Sequence, residues 1–481
     1  MIGRWSKLLA LTWLALALPA TAQAQIPPAL GANEAAALIQ ALQAAPAQGF
    51  ATDAFPVAEA QRLLRSPDPA LRPQGQAQLE AAAIAYARAQ HGGRAPVGRF
   101  PDNWAIRPQA YDAGADFAAA LAEGRVATWA AGLAPTDQRY GRLVKAYARY
   151  QQIAAEGGWP ALPVRPALKP GATGEAVEAL RRRLMIEDPA AAAPSAPPTP
   201  APSTGAPAAP APPVYDASLA AAVARAQDRY GLTPDGVAGP GTLAALNVSV
   251  DQRLAQIRTN LERWRWMPRD LPALRVELNI ADASLALYEA GQPSLTMRVI
   301  VGRPKKQTPM FADHILAVVF NPPWNVPSDI AARETWPAIR RHPGYMARER
   351  FVVRPGGGLQ QLPGPMCALG AIKFDLGNRF GVYLHDTPSR SLFTRDMRAL
   401  SHGCMRLEKP NALAERLLAG DPAWPQAAID AALQGGKTVR APLLRPVPLY
   451  VAYWSVFVDD QGRVQFRPDV YHWDEKLLGL L

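Results

Sequence analysis

The stretch YLHDTPSRSLFTRDMRALSHGCMRL, residues 383–407, holds His385 and then Ser401-His402-Gly403-Cys404, with Cys404 nineteen residues beyond His385, followed by Met405-Arg406. Nineteen residues is far longer than one helical turn. It suits a strand, an exposed loop and a return into a neighbouring strand. GVYL (381–384) reads as the strand leading into His385, and the polar, basic run 387–401 as the loop. CMRL then resumes an alternation, with Met405 and Leu407 on one side and Cys404 and Arg406 on the other.

A cysteine nucleophile needs thiolate character, a base or cation close by, and donors for an oxyanion. Cys404 is the candidate nucleophile and His385 its base. Gly403 permits close backbone approach, so N–H groups around Gly403 and Cys404 are candidate oxyanion donors. Arg406 adds positive charge on the same face. A buried structural cysteine beside a core histidine is the bland alternative, and the S-H-G-C setting weighs against it.

HDTP…SHGCMRL resembles the active-site motif of the L,D-transpeptidases (YkuD domain), and within them the large YcbB-type branch. LERWRWMPRDL (261–271), MRVIVGRPKKQTPMF (297–311), NPPWNVPSDIA (321–331) and LPGPMCALGAIKF (362–374) carry the same resemblance. It is close over 251–442 and loose over the rest of the chain beyond the leader.

The other segments fit round this one. The chain has 481 residues, a formal charge of +11 and 49% hydrophobic residues, which allows about three domains with large cores. Cys367 and Cys404 are its two cysteines, so no disulfide scaffold is expected. There is no HExxH and no CxxC, so neither a metal nor another cofactor is expected. Residues 1–24 read as a secretory signal: Arg4 and Lys7, an apolar run 8–18, and Ala22-Gln23-Ala24 for cleavage. The body is then expected outside the cytoplasm, in the periplasm, with membrane contact only through that segment if it stays uncleaved. Export and the lack of any reading motif argue against a nucleic-acid partner.

Residues 25–160 are alanine-rich with helical stripes (Leu38, Ile39, Leu42; Leu79, Ala83, Tyr86; Leu143, Ala146, Tyr147, Tyr150). The resemblance makes this a helical scaffold domain. Residues 165–250 resemble a peptidoglycan-binding domain of three short helices, interrupted by an Ala/Pro-rich insertion at 188–213. Its D-G-x-x-G-x-x-T turn is Asp235 to Thr242, with Thr242 expected to cap the last helix. The catalytic domain, 251–442, shows alternating strands (Val276, Leu278, Ile280; Leu285, Leu287; 296–301; 315–320) and a capping insertion at about 327–374. Residues 443–481 are expected as a C-terminal β-hairpin extension turning at Asp460-Gln461-Gly462. The fold class is thus multidomain α+β, with a β-rich YkuD-type sandwich as its catalytic domain.

Tyr383, two residues before His385, should share its side. Trp324 lies in a segment that lines the donor site in the resembling family, with Asn325 beside it. Ser401, His402 and Arg406 complete the candidate substrate-binding set. Cys367 departs from the family's PGPxNALG; without a base beside it, its thiol is expected near the free value.

The resemblance implies a periplasmic peptidoglycan L,D-transpeptidase. Cys404 would attack the third residue of a tetrapeptide stem, release D-Ala, and pass the acyl group to the side-chain amine of another stem. Carbapenems would acylate Cys404. The implied partners are peptidoglycan stem peptides and glycan, with other cell-wall synthesis enzymes as further candidates. Carboxypeptidase, endopeptidase or protein-anchoring activity on the same thiol stays open at this point, as does a non-catalytic wall-binding protein.

Overall fold

The structure, a computed structural model, describes residues 30–192 and 213–481. The expected signal segment lies outside these residues, as does all but the ends of the Ala/Pro-rich insertion. No helix among the described residues is long and apolar enough to cross a membrane.

The N-terminal helices divide between two cores. Helices Ala32–Gln43, Ala58–Leu64, Arg72–Gly92, Ala113–Ala122 and Val126–Ala131 close round Leu38, Leu79, Phe117 and Trp129. The stripes at 38–42 and 79–86 face this core, as their 3.6-residue period requires. Helix Gln138–Ala155 starts at Asp137, whose side chain accepts from the Arg139 N–H. Its stripe, Leu143 to Tyr150, packs instead into the large core shared with everything that follows. This long helix therefore joins the scaffold to the rest.

Helices Glu175–Glu187, Ala217–Arg229 and Pro240–Leu246 form the three-helix unit. Thr242 does not cap the last of them, because Pro240 starts the helix at Gly239. Pro is well suited to a first helical position, so the start falls earlier than the turn motif suggests. Thr242 is buried, and its hydroxyl accepts from Gln227 (3.1 Å).

The strands are β1 (Arg275–Asn279), β2 (Ser284–Glu289), β3 (Gln292–Gly302), β4 (Phe311–Phe320), β5 (Trp324–Asn325), β6 (Phe351–Val353), β7 (Leu359–Gln361), β8 (Ile372–Leu376), β9 (Leu384–His385), β10 (Ala399–Ser401), β11 (Met405–Leu407), β12 (Val439–Ala452), β13 (Val456–Val458) and β14 (Val464–Phe466). Nine of them make one sheet in the order β10-β3-β11-β9-β8-β4-β12-β1-β2, and an additional β2–β3 pairing closes it on itself. The sandwich is thus a single sheet folded over, with Val299, Phe320, Phe374, Leu384, Met405 and Leu449 inside.

Two expected boundaries move. β12 runs through residue 442 and pairs with both β1 and β4, so it belongs to the catalytic sheet. The hairpin extension is only β13 with β14, followed by helix Trp473–Leu478. Likewise β8 lies in the main sheet, while β5, β7 and β6 form a separate three-stranded sheet. The capping insertion therefore runs from β5 to just before β8. Its helices lie within 328–348, and it has its own small core of Val326, Ala331, Phe351 and Leu359.

Candidate active site

β9 and β11 are parallel neighbours, with Leu384 opposite Met405 and His385 opposite Arg406. Leu384, Met405 and Leu407 are fully buried in the sheet interior. Alternation therefore sends Tyr383, Cys404 and Arg406 to the other face. The loop between these strands brings the chain back through β10, which runs parallel to β3, and then over the end of β3.

That crossing is the S-H-G-C turn. Gly403 has φ +119°, in the region that favours glycine. The Ser401 hydroxyl accepts from the Gly403 N–H (3.0 Å) and donates to the Cys404 carbonyl (2.6 Å). The Thr308 hydroxyl donates to the Gly403 carbonyl (2.7 Å) and accepts from the Gly302 N–H (2.8 Å). Gly302 is itself obligatory, since a Cβ there would sit 2.1 Å from the Lys306 carbonyl. Behind it the Tyr471 hydroxyl donates to the Gly302 carbonyl, so the C-terminal segment buttresses the turn.

Cys404 is half-buried and its thiol is free. Burial pushes the thiol up, against the Tyr383 backbone and hydroxyl, Arg406 and Lys373, which all favour the thiolate. The Tyr383 hydroxyl contacts both the Cys404 sulfur and the Trp324 indole, and burial raises it well above the usual phenol range. The Lys373 ammonium lies 4.7 Å from the Tyr383 ring centre and 2.9 Å from Asp375. Arg406 has no hydrogen-bond or carboxylate partner among the described residues, and its Nε is buried without one.

His385 is buried, and its ring stacks edge-on to Tyr383 at 5.6 Å. Its Nδ1 donates to the Asp386 carbonyl (2.5 Å). Burial, reinforced by Arg406, lowers its pKa to about 3, so the ring is neutral at physiological pH.

Several expectations need correcting. No hydrogen bond joins His385 to Cys404 among the described residues; the Tyr383 hydroxyl bonds the sulfur. The Gly403 N–H is taken by Ser401 and is no free oxyanion donor, whereas the Cys404 N–H makes no hydrogen bond among the described residues. Ser401 is buried with its hydroxyl engaged in the turn, so it shapes the site from below and does not face a ligand. Asn325 is exposed on the cap sheet and accepts from Gln360 (2.6 Å). Strand alternation explains this: Trp324 points in, so its neighbour points out. His402 faces the cap, with Nε2 2.7 Å from Glu334. Cys367 is buried, donates to the Pro322 carbonyl (3.4 Å), and has its thiol pushed up by burial, not held near the free value.

Thr308, Lys373 and Tyr471 escaped the sequence reading. Thr308 lies in the QTPMF block that carries the resemblance, which was the available signal. Lys373 likewise lies in the 362–374 block that carries the resemblance, whereas nothing in the local sequence marks Tyr471.

With this geometry in place, comparison with known proteins defines the class. Residues 274–424 match the L,D-transpeptidase catalytic domain (YkuD), 29–146 a scaffold domain, and 203–246 a "Putative peptidoglycan binding domain". The chain therefore carries a YkuD-type L,D-transpeptidase catalytic domain behind a helical scaffold and a peptidoglycan-binding-type domain. A Haemophilus influenzae protein named "Putative L,D-transpeptidase" is 30% identical over 249 residues, which is 48% of this chain and 49% of that protein. The match thus spans about half the length of this curated relative. Among solved structures, an Enterococcus faecium L,D-transpeptidase mutant is 12% identical over 38% of this chain and 50% of that one, with TM-score 0.23. An L,D-transpeptidase from Mycobacterium smegmatis is 18% identical over 37% of this chain and 58% of that one, with TM-score 0.22.

Proposed function

We propose that the protein is a periplasmic peptidoglycan L,D-transpeptidase with Cys404 as its nucleophile. The observation that supports this best is the setting of the sulfur: a rigid turn holds it beside a phenol and two cations, with Arg406 lacking any carboxylate. The Cys404 sulfur attacks the carbonyl carbon of the third residue of a tetrapeptide stem. The C–N bond to D-Ala breaks, and the leaving amine takes a proton. The amine of a second stem then attacks the thioester, forms the new amide and restores the thiol.

His385 is neutral, which is the form a base requires. Its depressed pKa makes it a weak one, and the Tyr383 backbone, Arg406, the Tyr383 hydroxyl and Lys373 also favour the thiolate. The Cys404 N–H and the Tyr383 hydroxyl are the donors placed for the developing oxyanion. Trp324, bonded to Tyr383, walls the stem side. Water in place of the second amine would make the same enzyme a carboxypeptidase.

Incubating the protein with disaccharide-tetrapeptide tests the reading. A thioester adduct and cross-linked dimer are expected by mass, and both vanish in Cys404→Ala. Dimer formed by a folded Cys404→Ala protein defeats the mechanism.

A further inference from the structure

A cavity of about 160 Å³ lies where scaffold helix Gln138–Ala155, the three-helix unit and the β13–β14 hairpin meet. A single water needs about 10–15 Å³ of such space, so the cavity holds several waters or one small polyatomic ion. Four guanidiniums line it: Arg149 from the scaffold helix, Arg225 and Arg229 from helix Ala217–Arg229, and Arg463 from the turn before β14. Its carboxylates are Glu187 and Asp188, at the end of helix Glu175–Glu187.

Both carboxylates are already committed. Asp188 pairs with the Arg225 Nε at 2.7 Å. Glu187 pairs with Arg183 at 2.7 Å and accepts from the hydroxyls of Tyr150 and Tyr230. Arg463 is matched from outside the cavity, by Asp459 at 2.8 Å and Asp228 at 3.4 Å. Arg149 and Arg229 are left short of negative charge. Among the described residues, Arg149 has only the backbone carbonyls of Ile186 and Glu187 as acceptors. Arg229 is 8% exposed, and its Nη1 finds no hydrogen-bond acceptor. Its nearest carboxylate, Glu187, is 3.9 Å away and shared with Arg183. Across the wall and these partners, five guanidiniums face four carboxylates. A buried cation without its full complement is costly, and an unsatisfied buried donor beside a cavity points to a missing ion.

We infer that this cavity is an oxyanion site for a phosphate group. Guanidiniums bind phosphate through paired N–H donors. Asp188 takes only the Nε of Arg225, and Asp459 with Asp228 leaves the Arg463 Nη1 unbonded, so both keep donors for a ligand among the described residues. The donors come from three chain segments. A planar carboxylate offers its oxygens to few of them at once, whereas a phosphate presents three oxygens in different directions. A phosphate here supplies the negative charge that Arg149 and Arg229 lack. It also ties the scaffold helix, the three-helix unit and the hairpin through one ligand. No residue of the Cys404 site lines the cavity, so the inference is independent of the chemistry there.

Calorimetry with the full chain tests it, at fixed ionic strength in a phosphate-free buffer, with inorganic phosphate and glycerol phosphate as probes. Saturable binding is expected, weakened about tenfold or more by Arg149→Ala and by Arg463→Ala. Both side chains are exposed, so both variants should fold, and Arg340→Ala on the cap should bind as wild type does. Asp188→Asn keeps the shape and releases Arg225, so it should tighten binding several-fold. Cys404→Ala should bind unchanged. No saturable binding of either probe by wild type overturns the inference. So does equal binding by Arg149→Ala and Arg463→Ala, weaker binding by Asp188→Asn, or loss of binding in Cys404→Ala. Vesicle sedimentation separates the sources of the phosphate. Capture by phosphatidylglycerol vesicles over phosphatidylcholine vesicles, weakened in both arginine variants, assigns a lipid headgroup. Probe binding without such capture assigns a soluble phosphate.

Discussion

Two seams in this molecule are each built round a glutamate. Glu187 joins the three-helix unit to scaffold helix Gln138–Ala155, and Glu334 joins the cap to the turn that carries Cys404. Glu187 has a side chain 2% exposed, with Arg183 at 2.7 Å, Arg229 at 3.9 Å and the hydroxyls of Tyr150 and Tyr230 bonded to it. Glu334 is 47% exposed, with His402 at 2.7 Å and Arg303 at 3.5 Å. The partners are similar in kind and the surroundings are opposite. A buried charge that loses its partners is left uncompensated, whereas an exposed one is rehydrated and screened. The first seam should therefore be a structural joint and the second a latch.

Breaking the buried seam gives the largest effect. Glu187→Ala leaves Arg183 and Arg229 facing each other in the interior, and should cost about 3–5 kcal/mol. Chemical denaturation of the full chain measures this; a loss below about 1 kcal/mol would erase the contrast between the seams. The same carboxylate predicts an acid limit. Burial alone would raise its pKa, but Arg183, Arg229 and the two tyrosines carry it from 4.5 down to about 2. A depressed pKa contributes stability that is fully present above the unfolded value of 4.5. It is lost as pH falls through about 2, amounting to about 3 kcal/mol. Glu187→Gln should flatten that part of the stability–pH curve, and an unchanged curve would refute the assignment.

The turn itself behaves like the buried seam. Thr308 is fully buried and satisfies both Gly403 and Gly302. Thr308→Val keeps the shape and strands two backbone groups, at about 2–3 kcal/mol. If the turn positions Cys404, turnover should drop by about a hundredfold, since small misplacements at a reacting centre are costly. Full activity in a destabilised Thr308→Val protein would show that the sulfur is held by other means.

How much of this was legible in the sequence follows the same division. Cys404, its strand and its face could be read because alternation and the motif are local. The helical stripes could be read for the same reason. Thr308 and Tyr471 could not, because each acts through a hydrogen bond to a residue distant in sequence. The boundary at 442 follows the extent of the resemblance, whereas β12 runs on to Ala452 through Pro442, Pro446 and Pro448, residues that ordinarily interrupt a strand. Pro446 falls in the register shift between Pro442 and Val447, while Pro442 pairs opposite Ala317 and Pro448 opposite His314. The roles of His385 and Cys404 rest on the motif and on their shared strand face; what the sequence could not show is the depth of the site. A buried ring beside Arg406 stays neutral and turns to the backbone. Alkylation of Cys404 should accordingly rise with pH towards and beyond 9.0 without an inflection near 6.5, because burial raises the thiol and the imidazole titrates far lower. Arg406→Gln should slow alkylation at pH 7. A histidine inflection near neutrality, lost in His385→Ala, would restore the paired description.

The smallest effect belongs to the latch, and it sharpens the comparison most. The cap has a separate core, so its own folding does not depend on Glu334. Its charge contacts with the turn and the loop before Thr308 are Glu334 with His402 and Arg303, and Asp329 with Lys306 at 2.8 Å. All are exposed or half-exposed, and such pairs contribute about 0.2–1 kcal/mol each. Glu334→Gln keeps a hydrogen bond to His402 and removes the charge. Global stability should change by less than about 1 kcal/mol. Hydrogen exchange over 328–341 should quicken while exchange in β9 and β11 stays slow, and 1 M salt should quicken it in wild type in the same way. A loss of stability comparable to that of Glu187→Ala would mean that the cap and the sheet form one cooperative body, and that exposure alone does not distinguish a latch from a joint.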